Sequence, residues 1–211
     1  SPRLVSSAAS DVYKRQHGAH GYLIDNFFWS GTNIREDEYG GSIENRSQFV
    51  SDIIKSVREN VSENFIVGLR FSQWKQHDFE AKLASNPEEL KTILTSPVES
   101  GLDYLHSSMR RFWESEFTGS KENLAYWTKK ITKIPTIGVG SVGLDSDFID
   151  MTAPATPTSI DKAIDDITND KYDLIAVGRA LLSDHEWVLK MKEGRVNDVI
   201  PYTKDALLNL Y

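Results

Sequence analysis

The sequence lacks several features that would assign it to common functional classes. Its 211 residues include no cysteine, and 31 acidic residues outnumber 24 lysines and arginines, for a net charge of −7. Without cysteine, disulfides, thiolate metal sites and cysteine nucleophiles are excluded, which favours a reducing, cytoplasmic location. The negative charge disfavours nucleic acid and anionic lipid as partners. Because no run of about 18 apolar residues exists, we expect no membrane span.

The first residues differ in composition from the rest of the chain. Residues 1–16 are small and polar, and they include the basic Lys14 and Arg15. They contain no apolar stretch of the kind found in a secretory signal. We expect residues 1–16 to be a disordered or non-native leader, with a functional tail as the alternative, and residues 17–211 to form the folded domain.

Beyond the leader, short apolar runs alternate with helical patterns. The helical patterns follow capping residues such as Ser42 and Asn86. Four runs have strand character, at 65–71, 103–106, 135–140 and 173–177. Repeated βα units predict an α/β fold with a parallel sheet, either doubly wound or a (β/α)8 barrel. No Gly-x-Gly-x-x-Gly motif opens a helix after a first strand, which weakens the dinucleotide-binding alternative.

Two local patterns give sharper predictions about the helices. Pro97 interrupts the helical pattern that begins at Asn86. An interior proline costs about 3 kcal/mol, so we expect that helix to break or kink near Ser96. Thr158 and Asp161 resemble a capping box at the start of a later helix.

A cluster of proton-handling side chains lies in the segment His17-Gly18-Ala19-His20-Gly21-Tyr22. Its glycines allow close approach of a ligand to the backbone, which is typical of the mouth of a pocket. His17 and His20 can donate hydrogen bonds to one carbonyl oxygen, and Tyr22 can then supply a proton. Histidines with only local hydrogen bonds are the alternative. A zinc site is disfavoured because no third ligand lies nearby in the sequence.

Two later strands end in residues suited to an anion. The pairs Gly140-Ser141 and Gly178-Arg179 combine accessible backbone N–H groups with a guanidinium, which predicts a phosphate site. The alternative is that the glycines serve tight turns and Arg179 forms a surface ion pair. Arg70 lies near the end of an apolar strand, so we expect it to face an anionic or carbonyl-rich ligand. A buried salt bridge to a neighbouring strand is its alternative.

Several long motifs resemble the old yellow enzyme family of FMN-dependent NAD(P)H oxidoreductases, over about residues 17–211. They are HGAHGYL, NIREDEYGGSIENR, VGLRFS, VGRALLSDHEW and KMKEGR. The resemblance implies a (β/α)8 barrel that takes a hydride from NADH or NADPH onto FMN and passes it to an electron-poor alkene. It also implies that His17 and His20 bind the substrate carbonyl and that Tyr22 protonates the α-carbon.

The same resemblance assigns the cofactor-binding residues. Arg70 is expected beside the pyrimidine edge of the flavin, where it helps to hold negative charge on the reduced ring. The FMN phosphate is expected to contact Gly140, Ser141, Gly178 and Arg179. No metal is implied.

The sequence departs from the family pattern in its first residues and in its length. Residues 12–16 replace a buried apolar strand, and Lys14 and Arg15 are poorly suited to a barrel interior. A barrel needs about 250 residues, whereas residues 17–211 contain four clear strands. We therefore expect the C-terminal half of a barrel, roughly four βα units with two open sheet edges, that is inactive alone.

Two other interpretations stay open at this point. One is a flavin-independent βα-barrel enzyme that acts on a phosphorylated substrate. The other is a non-catalytic, truncated domain. Homo-oligomerisation of a full-length protein is compatible with all of these interpretations.

Overall fold

The computed structural model describes residues 13–147 and 154–208. Five parallel strands form one sheet in sequence order, so each strand pairs with the next along the chain. The strands are β1 (Tyr13–His20), β2 (Ile66–Lys75), β3 (Tyr104–Ser108), β4 (Thr136–Val139) and β5 (Leu174–Ile175). The predicted α/β class with a parallel sheet is therefore confirmed.

Helices connect the strands and cover one face of the sheet. They are α1 (Leu23–Phe28), α2 (Ile43–Glu59), α3 (Pro87–Glu99), α4 (Leu124–Thr132), α5 (Asp161–Thr168), α6 (Arg179–Ser183) and α7 (Trp187–Lys192), followed by 3-10 turns at Val196–Asp198 and Lys204–Leu207. Helix α3 packs between α2 and α4. Within the described ranges, no helix is long and apolar enough to cross a membrane.

The hydrophobic core lies between the sheet and these helices. Alternate residues of β2, such as Leu69 and Phe71, are fully buried against helical side chains such as Ile54 and Leu90. The opposite, concave face of the sheet is much less covered, and Tyr13 on it is 57% exposed. The period-2 alternation of the strands therefore separates a packed outer face from an open inner face.

The prediction that residues 1–16 form a leader outside the domain is wrong for residues 13–16. Tyr13 to Gln16 form the first half of β1 and pair in parallel with β2, so the sheet has five strands where four were predicted. Arg15 is tolerated because it lies exposed on the open face and donates a hydrogen bond to His106 Nδ1 at 3.1 Å. The remainder of the predicted leader, residues 1–12, lies outside the described residues.

The predicted break near Ser96 is also wrong, since α3 continues through Pro97 to Glu99. Pro97 falls in the last helical turn and is buried, so its ring packs into the core, and the helix gives up the one hydrogen bond that a residue with an N–H would donate to the Ile93 carbonyl. The helix closes regularly, with the Ser100 N–H donating to the Ser96 carbonyl at 3.0 Å. At the other end, the Asn86 side chain caps the helix as predicted.

The capping box predicted at Thr158 does not form. The N-cap of α5 is Ile160, which has no capping side chain, and Ser159 Oγ accepts from the Asp161 N–H at 3.0 Å instead. In contrast, the predicted cap of α2 is present, because the Ser42 side chain accepts from the Asn45 N–H at 3.2 Å.

Candidate active site

The candidate active site lies at the edge of the sheet where the parallel strands end. His20 is the last residue of β1, and it enters a tight turn with φ 65°, followed by Gly21 with φ 84°. This turn leads into α1 and leaves Tyr22 52% exposed. Residues other than glycine rarely adopt this left-handed backbone conformation, so other contacts must hold His20 in it.

A cavity of about 290 Å³ opens at this edge. Six of the eight predicted site residues line it: His20, Arg70, Gly140, Ser141, Gly178 and Arg179. The other two predicted residues lie beside it and not in its wall. The ring of His17 has its centroid 5.7 Å from that of His20 and 4.9 Å from that of Tyr22. The fold therefore brings both predicted clusters to one place.

Both histidines of the site are neutral near pH 7. Burial, reinforced by the charge of Arg70, lowers the pKa of His20 to about 3, and the same causes lower the pKa of His17. The Ala19 N–H donates to His17 Nδ1 at 3.3 Å, so the neutral ring of His17 carries its proton on Nε2. His20 packs on Trp74 with a centroid distance of 4.0 Å, and its Nδ1 is buried without a hydrogen-bond partner.

Arg70 reaches the cavity from β2. Its Nη2 donates to Ser108 Oγ at 2.9 Å, while its buried Nε has no hydrogen-bond partner. No carboxylate lies within ion-pairing distance of Arg70 in the described part of the chain, so the alternative of a buried salt bridge does not hold there. Burial lowers the pKa of Arg70 from its ordinary value. The side chain is therefore a partly buried cation with no ion-pair partner among the described residues.

Arg179 lies on the other side of the cavity and is held by uncharged oxygens. Its guanidinium donates to the carbonyl of Asp147 at 3.1 Å, to the carbonyl of Ser146 at 2.6 Å and to Ser141 Oγ at 3.2 Å. It also lies over the ring of Tyr202, 5.4 Å from the centroid. These contacts orient the guanidinium without neutralising it, so the alternative of a simple surface ion pair is not observed among the described residues.

The two cavity glycines differ in what they permit. A Cβ at Gly140 would lie 2.8 Å from the Met109 carbonyl oxygen, so glycine is needed there for packing. A Cβ at Gly178 would meet nothing within 4 Å. Packing therefore does not require glycine at 178, and its open surroundings leave room for a ligand next to the backbone.

A buried ion pair supports the turn that carries His20 and Tyr22. The side chains of Asp25 and Lys75 are fully buried, with Asp25 Oδ1 2.9 Å from Lys75 Nζ. Asp25 Oδ2 also accepts from the Gly21 N–H at 2.7 Å. The pair thus connects the turn after β1 to the end of β2.

Sequence reasoning missed several residues of the cavity wall, among them Trp74, Ser108 and Arg110. Ser108 is the last residue of β3, two positions beyond the predicted end of that strand. Extending the predicted strand by those two residues would have placed Ser108 at the edge of the sheet where the candidate active site lies. Trp74 and Arg110 lie beyond the predicted ends of their strands, at 71 and 106, and carry no comparable signal.

Comparison with known proteins identifies the family. The model of the NADH:flavin oxidoreductase / NADH oxidase family matches residues 7–198. The chain belongs to this family. Among its relatives, NADH oxidase of Thermoanaerobacter brockii is 37% identical over 191 residues, which cover 87% of this chain and 26% of that protein. Cinnamate reductase of Clostridium sporogenes is 30% identical over 205 residues, 88% of this chain and 28% of that protein.

Solved structures show the same fold. Old yellow enzyme from Pichia sp. AKU4542 superposes with a TM-score of 0.64 at 24% identity, over 91% of this chain and 45% of that chain. The chain therefore spans less than half the length of these family members. The predicted resemblance to old yellow enzymes and the predicted partial (β/α)8 barrel are confirmed, with five barrel strands instead of four.

Proposed function

We propose that this chain forms the substrate- and phosphate-binding part of an FMN-dependent oxidoreductase that uses NADH or NADPH to reduce an electron-poor alkene. The observation that carries the proposal is the cavity in which the guanidinium groups of Arg70 and Arg179 lie next to the neutral His20. Membership of a flavin oxidoreductase family favours this function over a flavin-independent enzyme acting on a phosphorylated substrate.

The residues present fit FMN. A phosphate dianion matches the oriented guanidinium of Arg179, with Ser141 and the open backbone at Gly178 beside it. The unpartnered Nε of Arg70 suits a carbonyl-rich ring edge that takes up negative charge. When bound, FMN supplies the redox chemistry, because it accepts a hydride from the nicotinamide and delivers it to carbon.

The side chains of the turn after β1 supply the rest of the chemistry. His17 and His20 each offer one ring N–H to the carbonyl oxygen of an enone-type substrate, and they stabilise the negative charge that develops there. Tyr22 donates the proton that the α-carbon needs. Because Tyr22 is about half exposed, solvent can return a proton to its oxygen. Cinnamate, named in one relative, contains an alkene of the required kind, conjugated to a carboxylate.

FMN titration followed by flavin absorbance and fluorescence quenching tests this proposal. A hydrogen bond to a charged group contributes about 1.5–3 kcal/mol, so Arg179→Gln should weaken FMN binding by roughly 10- to 150-fold. The matched control is Arg195→Gln, which removes an exposed arginine that pairs with Glu193 and Asp198. The control should leave FMN affinity unchanged.

The titration needs two forms of the protein, because the chain covers only part of its relatives. The first is the 211-residue chain, and the second is the same chain completed with the remaining strands of a barrel. Binding by the completed form alone would support both the flavin assignment and the inactivity of the isolated chain. Absence of FMN binding in both forms would overturn the flavin assignment.

A further inference from the structure

A hydroxyl links the cation of the site to its buried histidine. Arg70 Nη2 donates to Ser108 Oγ at 2.9 Å, and Ser108 Oγ lies 3.0 Å from His20 Nε2. Ser108 is 2% exposed and His20 is 8% exposed, so the link is shielded from water. The backbone of Ser108 is fixed as well, because its carbonyl accepts from Trp74 Nε1 at 3.1 Å.

The donor and acceptor inventory of these groups gives the link a direction. A guanidinium has only donors, so Ser108 Oγ accepts from Arg70 and keeps its own proton for another acceptor. The nitrogen of His20 that faces this hydroxyl is Nε2. If Nε2 carried a proton, the hydroxyl would accept twice and its own hydrogen would point at no acceptor. In the direction from Arg70 through Ser108 to His20, Arg70 Nη2, the Ser108 hydroxyl and His20 Nε2 all have partners.

We propose that Ser108 is a positioning residue that fixes His20 in the tautomer with its proton on Nδ1. The only ring N–H of His20 is then the one on Nδ1, which is buried and has no hydrogen-bond partner among the described residues. Because His20 forms part of the cavity wall, this N–H is the donor that the proposal assigns to an anionic or carbonyl oxygen of a ligand. The identity of that ligand rests on the proposed function, whereas the tautomer does not.

His106, on the same strand as Ser108, gives an internal comparison. Arg15 Nη1 lies 3.1 Å from His106 Nδ1, and since arginine only donates, Nδ1 of His106 is the acceptor. Its proton therefore lies on Nε2. His106 is as buried as His20, and burial lowers both pKa values to about 3, so both rings are neutral and differ in tautomer alone.

Long-range ¹H–¹⁵N NMR of the imidazole rings in the chain tests the proposal without any ligand. The wild type should show His20 with a protonated Nδ1 and His106 with a protonated Nε2, with the His20 signals assigned by their loss in His20→Gln. Ser108→Ala should move His20 toward the Nε2 tautomer, and Ser108→Thr, which keeps a hydroxyl, should restore the wild-type pattern. His106 should not change in either variant.

The matched control is Ser107→Ala. Ser107 is the neighbouring buried serine of β3, and its hydroxyl points to the other face of the sheet, where it donates to Thr128 Oγ1 at 2.9 Å. This control should leave the tautomer of His20 unchanged. If Ser108→Ala does not fold, the wild-type spectrum still decides, because a protonated Nε2 on His20 would overturn the proposal.

A second readout connects the tautomer to ligand binding. In the FMN-loaded protein, Ser108→Ala should weaken binding of a phenol by about tenfold, because His20 would then turn a lone pair toward the ionised oxygen. Ser108→Thr should recover the affinity. Failure of the completed barrel to load FMN would count against the proposed function and leave the tautomer assignment standing. Unchanged phenol affinity together with an altered tautomer would overturn the role of Nδ1–H as the ligand donor.

Discussion

The buried pair of Asp25 and Lys75 predicts a particular pattern of stability in single and double variants. Both side chains are fully buried and 2.9 Å apart. Burial raises the pKa of Asp25 and lowers the pKa of Lys75, so desolvation opposes the charge on each, and each charge persists because the other faces it. Removing one partner of such a pair costs about 3–5 kcal/mol, because the remaining charge has no compensation.

We therefore expect Asp25→Asn and Lys75→Met to lower the free energy of unfolding by about 3–5 kcal/mol each. The double variant should be less destabilised than either single variant, since replacing both charges is often close to neutral. Asparagine is chosen at position 25 because its amide oxygen can still accept from the Gly21 N–H, which Asp25 holds at 2.7 Å. An unpaired N–H there would add about 1–3 kcal/mol to the loss.

Urea denaturation followed by circular dichroism measures these free energies. Arg195→Met serves as the matched control, because Arg195 pairs with Glu193 while their side chains are 45% and 55% exposed. A pair of that kind contributes about 1 kcal/mol or less. If the double variant is as unstable as the sum of the two single variants, Asp25 and Lys75 do not interact as a charged pair, and the reasoning about the turn fails.

Two further predictions concern protons. Burial lowers the pKa of His20 and His106 to about 3, below the ordinary 6.5, so the unfolded chain binds more protons between these values and stability falls as pH falls. Each histidine should lower the free energy of unfolding by about 2 kcal/mol at pH 5. In His106→Gln, the free energy of unfolding from denaturation at several pH values should fall less steeply as the pH falls. A pH dependence equal to that of the wild type would contradict this prediction. Tyr22→Phe should slow alkene reduction by roughly 100-fold or more, and it should leave unchanged the reduction rate of acceptors that need no proton on carbon. If stopped-flow assays show equal slowing of both reactions, Tyr22 is not the proton donor.

The fold was predictable where the sequence pattern is strong. Strands β2 to β5 overlap the four predicted apolar runs, because their outward-facing residues, such as Leu69 and Phe71 of β2, pack against the helices. Strand β1 was not predicted, because the charged residues Lys14 and Arg15 interrupt its apolar pattern. Its inner face is open, and Arg15 remains exposed there, so the rule that excludes charges from a strand interior does not apply.

The helix predictions failed where tertiary context overrides local preference. Pro97 disrupts a helix in isolation, yet it lies two residues before the end of α3 and packs in the core. Thr158 has the right spacing for a capping box, but α5 begins at Asp161 and the neighbouring Ser159 makes the hydrogen bond. In both cases the helix lies in the region that the sequence pattern predicts, and only the predicted break or cap is wrong.

The residues of the site were easier to predict than the residues that orient them, because the orienting residues lie far away in the sequence. Chemistry demands particular residue types at each strand end, so imidazole, phenol and guanidinium groups stand out in short motifs. The groups that orient them act over long separations: Lys75 reaches Asp25 across 50 residues, and Ser108 reaches His20 across 88. Nothing local marks such a serine or lysine as important. A residue such as Ser108, for which we propose a role in setting the tautomer of His20, is therefore found only once the strands are placed side by side.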